Sequence, residues 1–427
     1  MQKKQVFDTL ILGGGAAGLY SALWAARSGQ KVLLVEKTEC LGKKLSMTGN
    51  GRCNFTHKSV SVEDYRTDDK KALQIALERY GVEETLDDFS SLGIFPTLKN
   101  DGYYPSSFQA SSVVSLLRAA LKPEVILTNH QVKGIEKEKE GFRVKVLDLS
   151  AKDKEKATSF LYGKRVIVCM GGASYPKTGS NGDGYYYMEK LGHHLEQPLP
   201  ALTALLAEDY DAKLFGVRQN AVLRLTVKDN KDLILSSRGE VQFTRSGLSG
   251  IAVFQLSLEA APLLSEGQTE GQKLELHCDF CPDQKKEELK NQIRSLIQRA
   301  DPESDLSLFL CGLIQKQLAE FVLKILGLSG RKIREIRSIE QTAGQIADRL
   351  KDLVFVIKGQ EGFASAQTTR GGVLLSEIDP ETMESRLCPG LYLAGEIVNV
   401  NGFCGGYNLQ WAWTSAYLAG TKKFSLK

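Results

Sequence analysis

The stretch Gly13-Gly14-Gly15-Ala16-Ala17-Gly18 constrains the fold more than any other part of the chain. It follows a short apolar run, Val6–Leu12, and opens an apolar segment, Ala16–Ser28, that predicts a helix; Lys31–Glu36 then reads as a second strand. Strand, glycine turn and helix in that order turn Gly-x-Gly-x-x-Gly into a dinucleotide-binding fingerprint. Gly13 permits the tight turn, Gly15 lets the backbone approach a pyrophosphate, and Gly18 lets helix and strand pack closely. The helix start, at Ala16 and Ala17, offers N–H donors and positive dipole to phosphates. Glu36 lies about twenty residues downstream, where a carboxylate accepts from ribose hydroxyls and disfavours a 2′-phosphate; Lys37 beside it joins the candidate set.

The fingerprint occurs once. Gly179-x-x-Gly182-x-Gly184 lacks a preceding strand and reads as a loop and helix start. The far end of the chain supplies what a flavin would add. Leu391-Tyr392-Leu393-Ala394-Gly395-Glu396 reads as strand, tight turn and acid, the acid suited to a ribityl chain. Gly405-Gly406-Tyr407-Asn408-Leu409 then opens a helix whose N-terminus would favour an anionic reduced flavin. One fingerprint with these remote elements points to FAD. The strand-like run Arg165–Met170, closed by Gly171, belongs to the same sheet.

These pieces predict an α/β architecture: a Rossmann-type FAD-binding domain built from both chain ends, with an inserted β-barrel-like domain and a helical subdomain. The boundaries expected are 1–195 and 352–427 for the FAD domain, 196–282 for the β-rich insert and 283–351 for the helices. In the insert, turns are expected at Asp229-Asn230 and Arg238-Gly239, and Gly42–Thr56 reads as a long polar loop. The net charge of +4 over 427 residues makes no case for nucleic acid or membrane. Eight scattered cysteines suggest reduced thiols in a cytoplasmic protein. Neither a membrane nor a stable protein partner is called for.

Four further motifs bring in a known family. Gly42-Lys43-Lys44-Leu45-Ser46-Met47-Thr48-Gly49-Asn50-Gly51-Arg52-Cys53-Asn54, Ser174-Tyr175-Pro176-Lys177-Thr178-Gly179-Ser180, Phe243-Thr244-Arg245-Ser246-Gly247-Leu248-Ser249-Gly250 and Gly405-Gly406-Tyr407-Asn408-Leu409-Gln410-Trp411-Ala412 span nearly the whole chain. In this order they resemble the bacterial NAD(P)/FAD-dependent oxidoreductases that include bile-acid dehydro-reductases, a ribosomal RNA dihydrouridine synthase and aminoacetone oxidases. The resemblance implies FAD, the inserted barrel, and a backbone contact from Val132 to adenine. It leaves the substrate open, because the family is mixed.

Within the first of these motifs, Gly49, Gly51, Arg52 and Asn54 are expected beside the isoalloxazine, the glycines for close approach and the polar residues as donors. Lys43 and Lys44 would meet the pyrophosphate or solvent. Cys53 is a candidate proton donor, against the alternative of a packing thiol. Tyr407 is a second candidate; Tyr103, Tyr104 and Tyr175 are possible acids or stacking platforms. Cys404 reads as packing. Cys278-x-x-Cys281 lacks a second pair for zinc, and no metal site is expected. His193-His194 reads as a surface turn.

The leading expectation is reduction of a carbon–carbon double bond conjugated to a carbonyl, with NAD(P)H reducing FAD through the substrate opening. A steroid-like 3-oxo-4-ene is the small-molecule substrate the resemblance implies, with a pocket from the inserted module. The rivals are a ribosomal RNA dihydrouridine synthase, with Lys285–Arg299 and Arg331–Arg337 as its basic surface, an aminoacetone-type amine oxidase, and a non-catalytic flavin-binding module.

Overall fold

Val32–Val35 reads Val-Leu-Leu-Val and is buried throughout, as in a parallel strand covered by helices on both faces. It pairs in parallel with Val6–Leu12, which pairs in parallel with Thr158–Val168. Leu391–Leu393, from the far end of the chain, adds in parallel to Val166–Val168. The computed structural model describes residues 5–153, 157–208, 210–227, 233–266 and 273–421. It divides into two units, Met1–Pro200 with Gln367–Lys427, and Ala201–Ala366.

In the first unit a seven-stranded sheet carries the parallel core, with His130–Glu138 and Gly141–Asp148 as an antiparallel extension on Thr158–Val168. Ile126–Leu127, which reads as part of that meander, instead pairs in parallel with Val32–Val35. The fingerprint helix Ala16–Arg27 packs on the final helix Tyr407–Thr421. Small residues permit this: a Cβ on Gly420 would stand 2.9 Å from the Ser21 carbonyl, and Ser21 Oγ donates to the Ala416 carbonyl at 3.3 Å. Arg165, 1% exposed, joins these layers by donating to Thr9 Oγ1 at 2.6 Å and the Gly420 carbonyl at 3.2 Å.

The second unit is a closed antiparallel barrel of six strands, Leu205–Ala207, Gly247–Ser249, Leu233–Phe243, Arg218–Val227, Leu274–Asp279 and Leu353–Gln360. Helices Lys286–Arg299, Lys316–Ile325 and Ile339–Lys351 share its core: Leu289, Ile293 and Ile346 cluster with Leu223 and Phe355. The first unit resumes at Gln367. Leu353–Gln360 closes the barrel by pairing with Leu274–Asp279 and Leu205–Ala207. Its alternating burial marks it as a half-buried barrel strand, unlike the wholly buried Val32–Val35.

Two local readings change, and a third lies outside the described residues. The stretch around Arg238-Gly239 is unbroken strand, with Gly239 beneath Ala252 of the helix Ile251–Glu266. The Asp229-Asn230 turn lies outside the described residues. Gly42–Thr56 is not a loop throughout: Lys43–Gly51 is helical until Thr48, Gly49 and Asn50 leave helical geometry, the last two with left-handed backbones. Among the described residues, no helix is long and apolar enough to cross a membrane.

Candidate active site

The three fingerprint glycines meet different surroundings. Gly13 has φ 104°, and a Cβ there would stand 2.4 Å from the Cys169 carbonyl oxygen. At Gly18 a Cβ would lie 1.7 Å from the Gly13 carbonyl oxygen, so close packing of turn on helix demands glycine. Around Gly15 nothing lies within 4 Å of a Cβ, and its φ of −75° suits any residue. Neither sterics nor backbone geometry requires glycine at that position; the space it leaves opens into a cleft.

That cleft is a cavity of about 200 Å³. Gly13, Gly15, Ala16, Ala17, Glu36, Lys37, Lys44, Val132, Gly171, Gly395, Glu396, Asn408 and Leu409 line it. The fingerprint helix opens onto it without a side-chain cap or an acidic residue in its first turn, leaving its positive end to the cleft. Glu36 is fixed by two backbone donors, Gly14 N–H at 2.7 Å and Thr38 N–H at 2.8 Å; a carboxylate still has acceptor capacity left. Lys37 donates to Asn181 Oδ1 at 2.8 Å. The Val132 carbonyl accepts from Tyr187 Oη at 2.9 Å.

Lys44 is partly exposed and paired within the chain. Its ammonium stands 2.6 Å from Glu396 Oε2 and 2.6 Å from Ser174 Oγ. Glu396 Oε1 also accepts from Ser174 Oγ at 2.9 Å and Thr369 N–H at 2.8 Å. The acid expected at a ribityl chain is thus anchored by Lys44 of the Lys43–Gly51 helix, by Ser174 and by Thr369 of the strand Thr368–Val373. The remaining expected residues sit outside the lining. Gly18 lies behind it, and Gly49, Gly51, Arg52, Asn54, Gly405, Gly406 and Tyr407 continue past Thr48 and Asn408, which do line it. Asn408 Nδ2 donates to the Gly402 carbonyl at 2.7 Å while its Oδ1 accepts from Gly402 N–H at 2.9 Å, tying the glycine loop to the helix start.

Cys53 does not line the cleft. It is 0% exposed, and burial raises its thiol to about 12, with Thr48 opposing only in part. Tyr407 is also largely covered and raised to about 12, first by burial and then by Asp64 and Asp101. Its ring stacks on His57 with centroids 4.8 Å apart. His193 is buried, not a surface residue: its Nδ1 meets Glu377 Oε2 at 2.9 Å and its Nε2 meets Ser385 Oγ at 2.8 Å. All eight cysteines are free thiols, and no metal-binding cluster occurs among the described residues. Thr38, Thr48, His130, Gln131, Gln367 and Trp411 also line the cleft; Thr48 and Trp411 lie within quoted motifs, whereas Thr38, His130, Gln131 and Gln367 belong to none.

A family model described as the HI0933-like protein Rossmann domain matches residues 7–422. The chain belongs to the HI0933-like family. Over 96% of its length it is 35% identical to the 3-dehydro-bile acid delta(4,6)-reductase of Clostridium scindens, covering 97% of that protein. It is 30% identical to the ribosomal RNA dihydrouridine synthase of Escherichia coli over 96% of each chain. The solved 3-ketosteroid delta1-dehydrogenase from Sterolibacterium denitrificans shares the fold, with a TM-score of 0.51 at 12% identity over 97% of this chain and 98% of that one. As an HI0933-like protein the chain is an oxidoreductase of the flavoprotein type, and FAD is the group its cleft must fit. The open position at Gly15, the uncapped helix start and the anchored acid at Glu36 all fit a dinucleotide.

Proposed function

We propose that this protein is an FAD-dependent ene-reductase. In this reading NAD(P)H supplies the electrons, and the substrate is a double bond conjugated to a carbonyl in a 3-oxo-4-ene of steroid or bile-acid type. The observation that carries it is the 35% identity, over nearly the whole of both chains, to a reductase named for 3-dehydro-bile acids. Bound FAD supplies hydride-transfer chemistry. The chain's own residues hold and polarise it. Gly15, Ala16 and Ala17 would take the pyrophosphate, Glu36 the adenosine ribose, Val132 the adenine edge, and Glu396 the ribityl hydroxyls. The start of the helix Tyr407–Thr421, where Asn408 and Leu409 line the cleft, brings positive dipole to the flavin end. Saturating the double bond also needs a proton at the carbon next to the carbonyl. With Cys53 sealed in the core, we assign that proton to Tyr407, whose hydroxyl stays protonated through neutral pH.

Reduction of the uracil C5=C6 bond is the same chemistry on another substrate, and the 30% relative is named for it. Its expected basic footprint is partly paired. Lys290 and Arg294 both pair with Glu340, Lys286 with Asp348, and Lys332 and Arg334 with Glu303. Incubation with NAD(P)H and a 3-oxo-4-ene steroid acid, followed by mass spectrometry, tests the proposal. A product two hydrogens heavier is expected. Unchanged steroid beside reduced uridine in ribosomal RNA, or peroxide released on adding amines, would replace it.

A further inference from the structure

Beyond the cleft wall at Thr48, the chain builds an aromatic face with two cations on it. Gly102–Pro105 pairs with Pro96–Lys99, setting Tyr104 opposite Thr97 and Lys99 opposite Gly102 on one face of the hairpin. Phe108 completes this face, its ring 5.6 Å from that of Tyr104 and beneath the Lys99 ammonium at 5.5 Å. A left-handed backbone (φ 50°) holds Phe108 there, a costly conformation for a bulky residue of the kind kept at ligand sites. Tyr104 Cε1 lies 3.8 Å from where a Cβ on Gly49 would be, one residue beyond Thr48. Phe95, on the same face, is 67% exposed. The Arg52 guanidinium is close enough to oppose the rise that burial and Cys404 impose on the Tyr104 hydroxyl. The neighbouring Asp101 is engaged by Lys58 at 2.6 Å. Among the described residues, neither Arg52 nor Lys99 is matched to a carboxylate.

We propose that Tyr104 and Phe108, flanked by Arg52 and Lys99, form a docking platform for a flat, apolar substrate that carries a carboxylate. The rings take its planar body, and the two cations take its acidic end. This rests on the ene-reductase reading and gives it a specificity element: the acid form of a substrate binds better than its neutral ester. Charge complementarity is the ground for choosing this occupant, since the cations stand unmatched beside a half-buried aromatic surface.

Equilibrium binding of a 3-oxo-4-ene steroid carboxylic acid and its methyl ester to the flavin-loaded protein, followed by tryptophan fluorescence, tests the platform apart from turnover. Wild type is expected to prefer the acid by about three- to tenfold at low salt, as two exposed ion pairs allow. K99Q should remove part of that preference and leave ester binding and melting temperature unchanged, and R52Q should also reduce the preference. K99E should remove more, and F108L should weaken acid and ester alike. Equal binding of acid and ester to wild type, with the enone still reduced, overturns the platform and spares the reductase reading. Failure of both ligands to bind or be reduced overturns the two together. If K99Q and R52Q weaken NADPH binding or a uridine-containing RNA and leave the acid unaffected, the cations serve another ligand and the platform falls.

Discussion

Gly15 and Gly18 stand three residues apart in one motif and should respond oppositely to an added methyl group. Gly15→Ala places a Cβ in open cleft, so stability should change by no more than about 1 kcal/mol, the scale of a helix N-cap change. Its bound flavin, read from absorbance near 450 nm against protein, should fall sharply. Gly18→Ala drives a Cβ to 1.7 Å from the Gly13 carbonyl oxygen and should destabilise by about 1–3 kcal/mol as overpacking does. A Gly15→Ala protein that melts early, or a Gly18→Ala protein with native stability, would contradict this assignment. Cys53 makes a second contrast. Since it is buried in the core, Cys53→Ala should lower the melting temperature through a small cavity and leave the turnover number within about twofold, whereas Tyr407→Phe should slow turnover by roughly 10²–10⁴ as loss of a general acid does.

Between elements, the cluster around His193 binds the segment after the helix Asp183–Lys190 to the chain near Glu377 and Ser385. Burial lowers the His193 imidazole from its ordinary value, against the pull of Glu377. Burial would raise Glu377, but hydrogen bonds from His194 and His193 outweigh it and hold the carboxyl below its ordinary value. Both shifts are downward, so the unfolded chain binds the extra protons. Stability from His193 is complete above about 6.5 and is lost as pH falls through the folded value; Glu377 adds a second loss below about 4.3. Melting temperature should therefore decline from pH 7 to pH 5, and His193→Gln should flatten that decline. A wild-type curve level down to pH 5 would rule this out.

The same elements show what the sequence could and could not disclose. The fingerprint strand and helix, and the return of Leu391–Leu393 to the sheet, were readable because local pattern and close packing agree there. The two-histidine turn was not, since burial of His193 depends on Glu377, 184 residues away. Lys44 was ambiguous for the same reason: its partner Glu396 lies 352 residues along the chain. The barrel strand Leu353–Gln360 carries its signal in alternating burial, but its partners Leu205–Ala207 and Leu274–Asp279 lie far from it along the chain.

For the whole molecule, a net charge of +4 and basic segments partly paired with carboxylates favour a small substrate over RNA. A ribosomal RNA fragment should not bind detectably at about 0.15 M salt, where counterion release weakens unspecific contacts. Micromolar retention under those conditions would favour the uridine-reducing alternative. The central claim is that electrons pass from a nicotinamide nucleotide through the cleft to an enone. Anaerobic stopped-flow tests it most directly: NADH or NADPH is mixed with the flavin-loaded protein, and a 3-oxo-4-ene steroid acid is then added. The 450 nm flavin absorbance should bleach with a nucleotide and return on adding the steroid; a flavin that neither nucleotide bleaches, or that the steroid leaves reduced, would contradict the claim.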